Sequence, residues 1–385
     1  MCHSAPYKER AALSIDIDRF AKSKHGKLRC VDCHRDLAGA TLPHQLKLAK
    51  VDCAGCHRAD NPFGAPDVKS SIAYEDTAHG RAAAKGDPDA PRCATCHGDH
   101  YVGGPSDPAS SVYRTNIPIT CGRCHNDSAL VGRHKIPKGE ALKFYQNSVH
   151  GRALKEKGLT ISAVCTDCHG VHDIRVGADP RSSVSRPHIP DTCGKCHSGI
   201  LKSYLTGIHG QDFKKGVKDA PICTDCHGEH TIFAPDEPSS SVNPIHIAKT
   251  CSTCHENTRI ERTFGLPASR LATFLDSYHG IANTYGDTTV ANCATCHGAH
   301  DILPSSDPRS SISKRNLPTT CGRCHPGAGV NFAKGSIHVL PSREKDREVY
   351  WVRMFYKLFI GGLVCAFLGY IFLDMLSRRR KRAEA

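Results

Sequence analysis

Aromatic side chains make up only 6% of this 385-residue sequence, tryptophan occurs once, and hydrophobic residues reach 39%. Much of the apolar material is concentrated in one stretch near the C-terminus. Without that stretch, roughly 350 residues hold too little to build a large side-chain core. The scarcity argues against the two or three ordinary globular domains that the length would suggest. Something other than side chains must fill the interior. Methionine is rarer still. Met1, Met354 and Met375 are the only three, the first at the start and the others in or beside the apolar stretch. Thioether ligation of a metal in the main body is therefore excluded. No signal-peptide pattern opens the sequence.

Cysteine is abundant instead. Of 22 cysteines, 20 fall in ten C-x-x-C-H motifs. The thiol pairs are Cys30 and Cys33, Cys53 and Cys56, Cys93 and Cys96, Cys121 and Cys124, Cys165 and Cys168. The remaining pairs are Cys193 and Cys196, Cys223 and Cys226, Cys251 and Cys254, Cys293 and Cys296, and Cys321 and Cys324. Two thiols at this spacing form thioethers to the vinyl groups of haem, and the following histidine presents its imidazole to the iron. Disulfides would not need a histidine after every second cysteine. Zinc sites take their other ligands from a second C-x-x-C or a distant histidine pair. The pattern therefore predicts ten haems c, with porphyrins as the apolar core. The formal charge of +13 invites a nucleic-acid reading. Twenty propionates and ten irons would shift it to −7 when reduced or +3 when oxidised, and nucleic acid is excluded as a partner.

The sequence is repetitive. Four dihaem units span 79–125, 150–197, 209–255 and 279–325, and a shorter variant spans 25–57. Each full unit opens with His-Gly, continues through C-x-x-C-H-G-x-H and Ser-Ser-Val or Ser-Ser-Ile, and closes with a second C-x-x-C-H. The two motif histidines of each full unit are always 28 residues apart. Leu271, Phe274, Leu275 and Tyr278 form a helical stripe ending at His279-Gly280, which predicts that His279 sits at a helix C-terminus. The fold expected is mostly irregular with short α-helices, a haem-packed repeat array plus one transmembrane helix. Residues 1–24 form an N-terminal segment in which Cys2-His3 reads as the remnant of a truncated motif, implying an eleventh haem.

The motif histidines His34, His57, His97, His125, His169, His197, His227, His255, His297 and His325 are the proximal iron ligands. Ten others occupy repeat-defined places as distal candidates. His25, His79, His150, His209 and His279 precede glycine; His100, His172, His230 and His300 lie three residues past a proximal histidine; His44 is the variant unit's counterpart. Ten candidates for ten irons imply bis-histidine ligation throughout and low potential. A histidine three residues past the proximal one cannot wrap to the opposite face of its own porphyrin, so the four of that class are expected to ligate neighbouring haems. His338 is assigned with His3 to the eleventh haem. His188 and His246 take slots held elsewhere by Asn116 and Asn316, which suggests a hydrogen-bonding role, and His134 reads as solvated.

A juxtamembrane linker (326–349) precedes an expected transmembrane helix at 350–376 and a basic tail at 377–385. Arg378, Arg379, Arg380, Lys381 and Arg382 put the C-terminus in the cytoplasm and the haems in the periplasm, with the chain as a single-pass protein of the inner membrane. Gly361, Gly362, Cys365 and Gly369 offer a small-residue face for a membrane partner.

The doubled motif layout over 25–325 resembles the multihaem cytochromes of the class III cytochrome c group and the NrfB-like and MtrA-like periplasmic electron carriers. That resemblance implies bis-histidine haems in a near-continuous chain. The C-terminal anchor departs from it, since the NapC/NrfH quinol dehydrogenases carry theirs at the N-terminus. The expected function is electron transfer between a membrane quinol-oxidising or cytochrome b-type subunit and periplasmic donors or acceptors, as a carrier or as the electron-transfer subunit of an oxidoreductase complex. The alternative is a multihaem reductase of nitrite, hydroxylamine or an oxidised sulfur compound. Such an enzyme needs an iron with an open or lysine-ligated position, and no C-x-x-C-K occurs.

Overall fold

A computed structural model describes residues 14–41, 48–57, 73–137, 139–344 and 346–383. Short helices joined by turns account for about half of the chain, and no strand occurs among the described residues. The chain divides into two compact units, Met1–Asn243 with His300–Ile302, and Pro244–Ala299 with Leu303–Ala385. Among the described residues the buried hydrophobic side chains are Leu154, Val164, Tyr204, Ala220, Ile222, Ala248 and Phe274. Hydrogen bonds, not apolar packing, define the repeat.

In the first unit, the opening histidines His79, His150 and His209 lie in the first turn of helices α1 (Ala78–Ala84), α2 (Val149–Lys155) and α3 (Ile208–Lys214). Thr77 and Ser148 cap the first two, their hydroxyls accepting from the N–H of Gly80 and Gly151, an arrangement that contributes about 1 kcal/mol per helix. Glycine follows the histidine because the preceding turn packs against it. A Cβ on Gly151 would lie 2.0 Å from the Tyr145 carbonyl oxygen, and Gly80, Gly210 and Gly280 stand in the same relation to their own neighbours. Tyr145 and Tyr204 donate their hydroxyls to Ala163 and Pro221, two residues ahead of the first motif, each at 2.9 Å. Burial pushes both phenols up to about 12.

Successive repeats are hooked together. The backbone N–H just before each opening histidine donates to a carbonyl two residues past the C-x-x-C-H-G-x-H of the next repeat. The bonds are Lys24 to Val102 (2.9 Å), Ala78 to Ile174 (3.1 Å), Val149 to Ile232 (2.8 Å) and Ile208 to Ile302 (2.7 Å). Ion pairs reinforce the same junctions, Arg114 with Asp167 at 2.8 Å and Arg186 with Asp225 at 2.9 Å.

The second unit holds helices α4 (Arg270–Leu275), α5 (Tyr278–Thr284) and α6 (Arg347–Ala383). Here the sequence expectation for His279 is corrected. The apolar stripe does not run on as one helix into His279. It breaks at Asp276-Ser277, and His279 enters the first turn of α5. The cause is local: the Ser277 hydroxyl accepts from Gly280 N–H at 3.1 Å and caps a new helix. Gly280 therefore starts a turn of helix instead of ending one. Over Arg347–Arg380, α6 is long and apolar enough to cross a membrane, and none of its apolar window is buried. It is compatible with single-pass anchoring.

Candidate metal centres

Each first motif of a full repeat forms a five-residue helix: Cys93–His97, Cys165–His169, Cys223–His227 and Cys293–His297. One helical turn places the two thiols and the imidazole, at i, i+3 and i+4, on one face. The residue before the second cysteine stabilises that turn from within. Asp167 accepts from Val164 N–H and Asp225 from Ile222 N–H, both at 2.7 Å, and Thr95 does the same for Arg92 at 3.0 Å. After the histidine, a glycine with φ near 80° (Gly170 has 81°) turns the chain away, a conformation costly for other residues. Second motifs end longer helices such as Ile117–His125, with Pro118 in the first turn where its missing N–H costs nothing.

The serine pair fixes the distance between the two motifs. Ser111, Ser183, Ser241 and Ser311 donate their hydroxyls to the carbonyls of Cys96, Cys168, Cys226 and Cys296. The carbonyls of Ser111, Ser183 and Ser311 in turn accept from Thr120, Thr192 and Thr320, each at 2.7 Å and each just before a second motif. This two-way tether accounts for the constant 28-residue spacing.

The imidazoles meet in pairs. Within one repeat, the opening histidine faces the second-motif histidine: His25 with His57, His79 with His125, His150 with His197 and His279 with His325, at 6.0, 6.0, 6.2 and 6.0 Å between ring centres. Between repeats, the histidine after the first motif reaches back to the preceding one. His100 faces His34, His172 faces His97, His230 faces His169 and His300 faces His227, at 6.2, 5.8, 5.9 and 6.0 Å. A ninth pair, His297 with His338, measures 6.3 Å. A nitrogen about 2 Å from a metal and about 1 Å from its own ring centre puts two trans imidazole centres about 6 Å apart. The spacing fits one metal held between each pair.

Burial holds His25, His79, His97, His125, His150, His169, His227, His255, His279 and His297 below the ordinary imidazole value, so each keeps a lone pair near neutral pH. The thiols do not converge on the imidazoles. Among the described residues, the one set of three or more His, Cys, Asp or Glu ligand atoms drawn within 4.8 Å of one another is Asp87, Asp89 and His134. A mixed Cys/His zinc site needs its donors on a common centre. Thiols set apart from the imidazoles suit attachment to the rim of a planar ligand, and on both counts the residues fit haem c.

Thiols of consecutive motifs lie beside one another. Cys53 hydrogen-bonds with Cys93, Cys121 with Cys165 and Cys193 with Cys223 in the first unit, and Cys251 with Cys293 in the second. Cys33 neighbours Cys56, Cys96 neighbours Cys121, Cys168 neighbours Cys193, and Cys296 neighbours Cys321. Disulfides at the four hydrogen-bonded contacts would use one thiol from each of eight of the ten motifs and leave the histidines without a role. Compared with known protein families, with characterised proteins and with solved structures, the chain matches none.

Several sequence expectations find other placements. His338 faces His297. Its Nδ1 lies 2.9 Å from the Thr273 hydroxyl, and burial, then Arg270 and His297, lower its value to about 4. His44, Cys2 and His3 lie outside the described residues. His209 opens α3 in the first unit, and His255 ends the helix Ile247–His255 in the second. His188 does the work of its asparagine siblings, with Nδ1 donating to Ser182 O at 2.9 Å where Asn116 donates to Ser110 O at 2.8 Å. His134 is not merely solvated, because its Nε2 lies 2.9 Å from Asp89, which also pairs with Arg133. That guanidinium already balances the carboxylate, so the set is an ion-pair cluster. Nothing in the sequence pattern pointed to Thr273.

Proposed function

We propose that this chain is a membrane-anchored decahaem c-type cytochrome that passes electrons between a quinol-oxidising or cytochrome b-type membrane subunit and periplasmic redox partners. The observation carrying this reading is one imidazole pair repeated nine times at 5.8–6.3 Å, each with one member from a C-x-x-C-H. Haem c bound at these pairs would supply a one-electron ferric/ferrous couple. The cysteines would hold it covalently and the paired imidazoles would ligate its iron, which would leave no open position for a substrate at these nine pairs. Histidines donated across repeats cross-link successive centres. Neighbouring thiols support an order of centres that follows the sequence within each unit.

Two inferences support the periplasmic side. Thioether attachment takes place outside the cytoplasm, and the cluster Arg378–Arg382 follows the apolar helix. The test is the holoprotein itself. Haemochrome assay and intact mass should give ten covalent haems per chain, and electron paramagnetic resonance of the oxidised protein should show low-spin iron alone. Absence of covalent haem sinks the reading. A stoichiometric high-spin ferric signal with rapid oxyanion reduction turns it into the reductase.

A further inference from the structure

Every first-motif histidine of the first unit receives its partner from the repeat that follows. His297 belongs to the repeat before the membrane helix, and no further C-x-x-C-H-G-x-H lies between it and that helix to supply one. We propose that His338, on the strap between the last motif and the membrane helix, is the sixth ligand of the iron bound at His297. The proposal rests on the haem reading above and goes beyond it, since it ties one centre directly to the anchor.

Three observations carry the assignment. First, the strap is otherwise turned outward, with Ile337 48% and Leu340 41% exposed while His338 between them is half-buried. An isoleucine facing solvent beside a histidine facing inward reverses the usual partition, as expected when the imidazole has a partner worth that exposure. Second, the tautomer is set. The buried Thr273 hydroxyl lies 3.0 Å from the carbonyls of both Ser269 and Arg270. With its single proton committed there, it accepts from His338 Nδ1–H at 2.9 Å. Nε2 is then left with its lone pair, the arrangement a metal-bound histidine requires. Third, α4, which carries Thr273, is followed at once by Asp276, and Asp276 pairs with Arg353 of α6 at 2.7 Å. The same few residues thus grip the strap and the first turns of the membrane helix. Thr273 is a positioning residue, and His338 is the ligand.

The test uses the full-length holoprotein in detergent. His338→Ala should keep all covalent haem and convert one centre per molecule to a high-spin form that binds carbon monoxide, and added imidazole should restore the low-spin signal. His338→Met should instead keep that centre low-spin, add a methionine–iron charge-transfer band and raise one potential. In the unaltered protein, diethylpyrocarbonate should modify His134 and spare His338. Fully low-spin spectra in His338→Ala, or modification of His338 as readily as His134, overturn the assignment. Loss of covalent haem from the unaltered protein would instead sink the underlying reading, so the two failures are distinguishable.

Discussion

The rings of His169 and His230 lie within 11° of parallel, whereas those of His150 and His197, in the same repeat as His169, are tilted by 46°. The contrast is systematic. The pairs on first motifs in the first unit measure 27°, 14°, 11° and 11°, while those on second motifs measure 56°, 53°, 46° and 46°. Parallel imidazoles push on the same iron d orbital and separate it from its twin; tilted ones leave the two close in energy. The oxidised protein should therefore show two low-spin classes in electron paramagnetic resonance, one rhombic and one with a large maximum g. His297 with His338, at 47°, belongs to the second. A single homogeneous class would contradict this.

Gly151→Ala should disturb one centre selectively. The new methyl would meet the Tyr145 carbonyl at 2.0 Å, and overpacking of this kind costs about 1–3 kcal/mol. Because His150 is the adjacent residue, the expected outcome is a lower thermal midpoint together with a partly high-spin iron at His197. Wild-type spectra and stability would show that the close approach does not constrain the ligand.

Asp76 pairs with Arg175 at 2.8 Å and Arg181 at 2.6 Å, in the next repeat. The two guanidiniums hold its carboxyl below the usual carboxylate range. A depressed value means the stabilisation is present in full above the unfolded value, about 3.9, and is lost as pH falls through the folded one. Stability against unfolding, followed from pH 7 downward, should fall below about pH 4, and Asp76→Asn should flatten that part of the profile. An unchanged acid limb in the variant would rule out this contribution.

Truncation after residue 346 removes α6 whole. The expected product partitions into the soluble fraction with its covalent haem retained, because none of the apolar window of α6 is buried against the rest of the protein. Membrane retention after truncation would show that another surface does the anchoring.

The motifs, the repeat and the membrane segment are local patterns, and they could be read directly from residue order. The class of histidine that reaches across repeats was also legible, since a side chain three residues past the proximal one cannot span its own porphyrin. Which partner each would meet was not, because His169 and His230 are 61 residues apart and are brought together by contacts between repeats, the Val149–Ile232 hook and the Arg186–Asp225 ion pair among them. Counting residues did not bring His338 to His297, and His279 was put at the wrong end of a helix because the capping role of Ser277 outweighs the apolar stripe. Thr273 escaped notice because a lone threonine in a short helix carries no pattern.

The thin interior of the polypeptide has a consequence for biogenesis. With so few hydrophobic side chains hidden from water, the nascent chain has little to drive collapse by itself. On the proposed reading, maturation precedes compaction. Each prosthetic group at a first motif of the first unit, once stitched to its own cysteines, would wait for an imidazole from the repeat translated next, whereas one at a second motif would take the opening histidine of its own repeat, so assembly would close from the N-terminus like a zipper. A defect at an early motif would then propagate to later ones, while one near the anchor would leave the upstream segments intact.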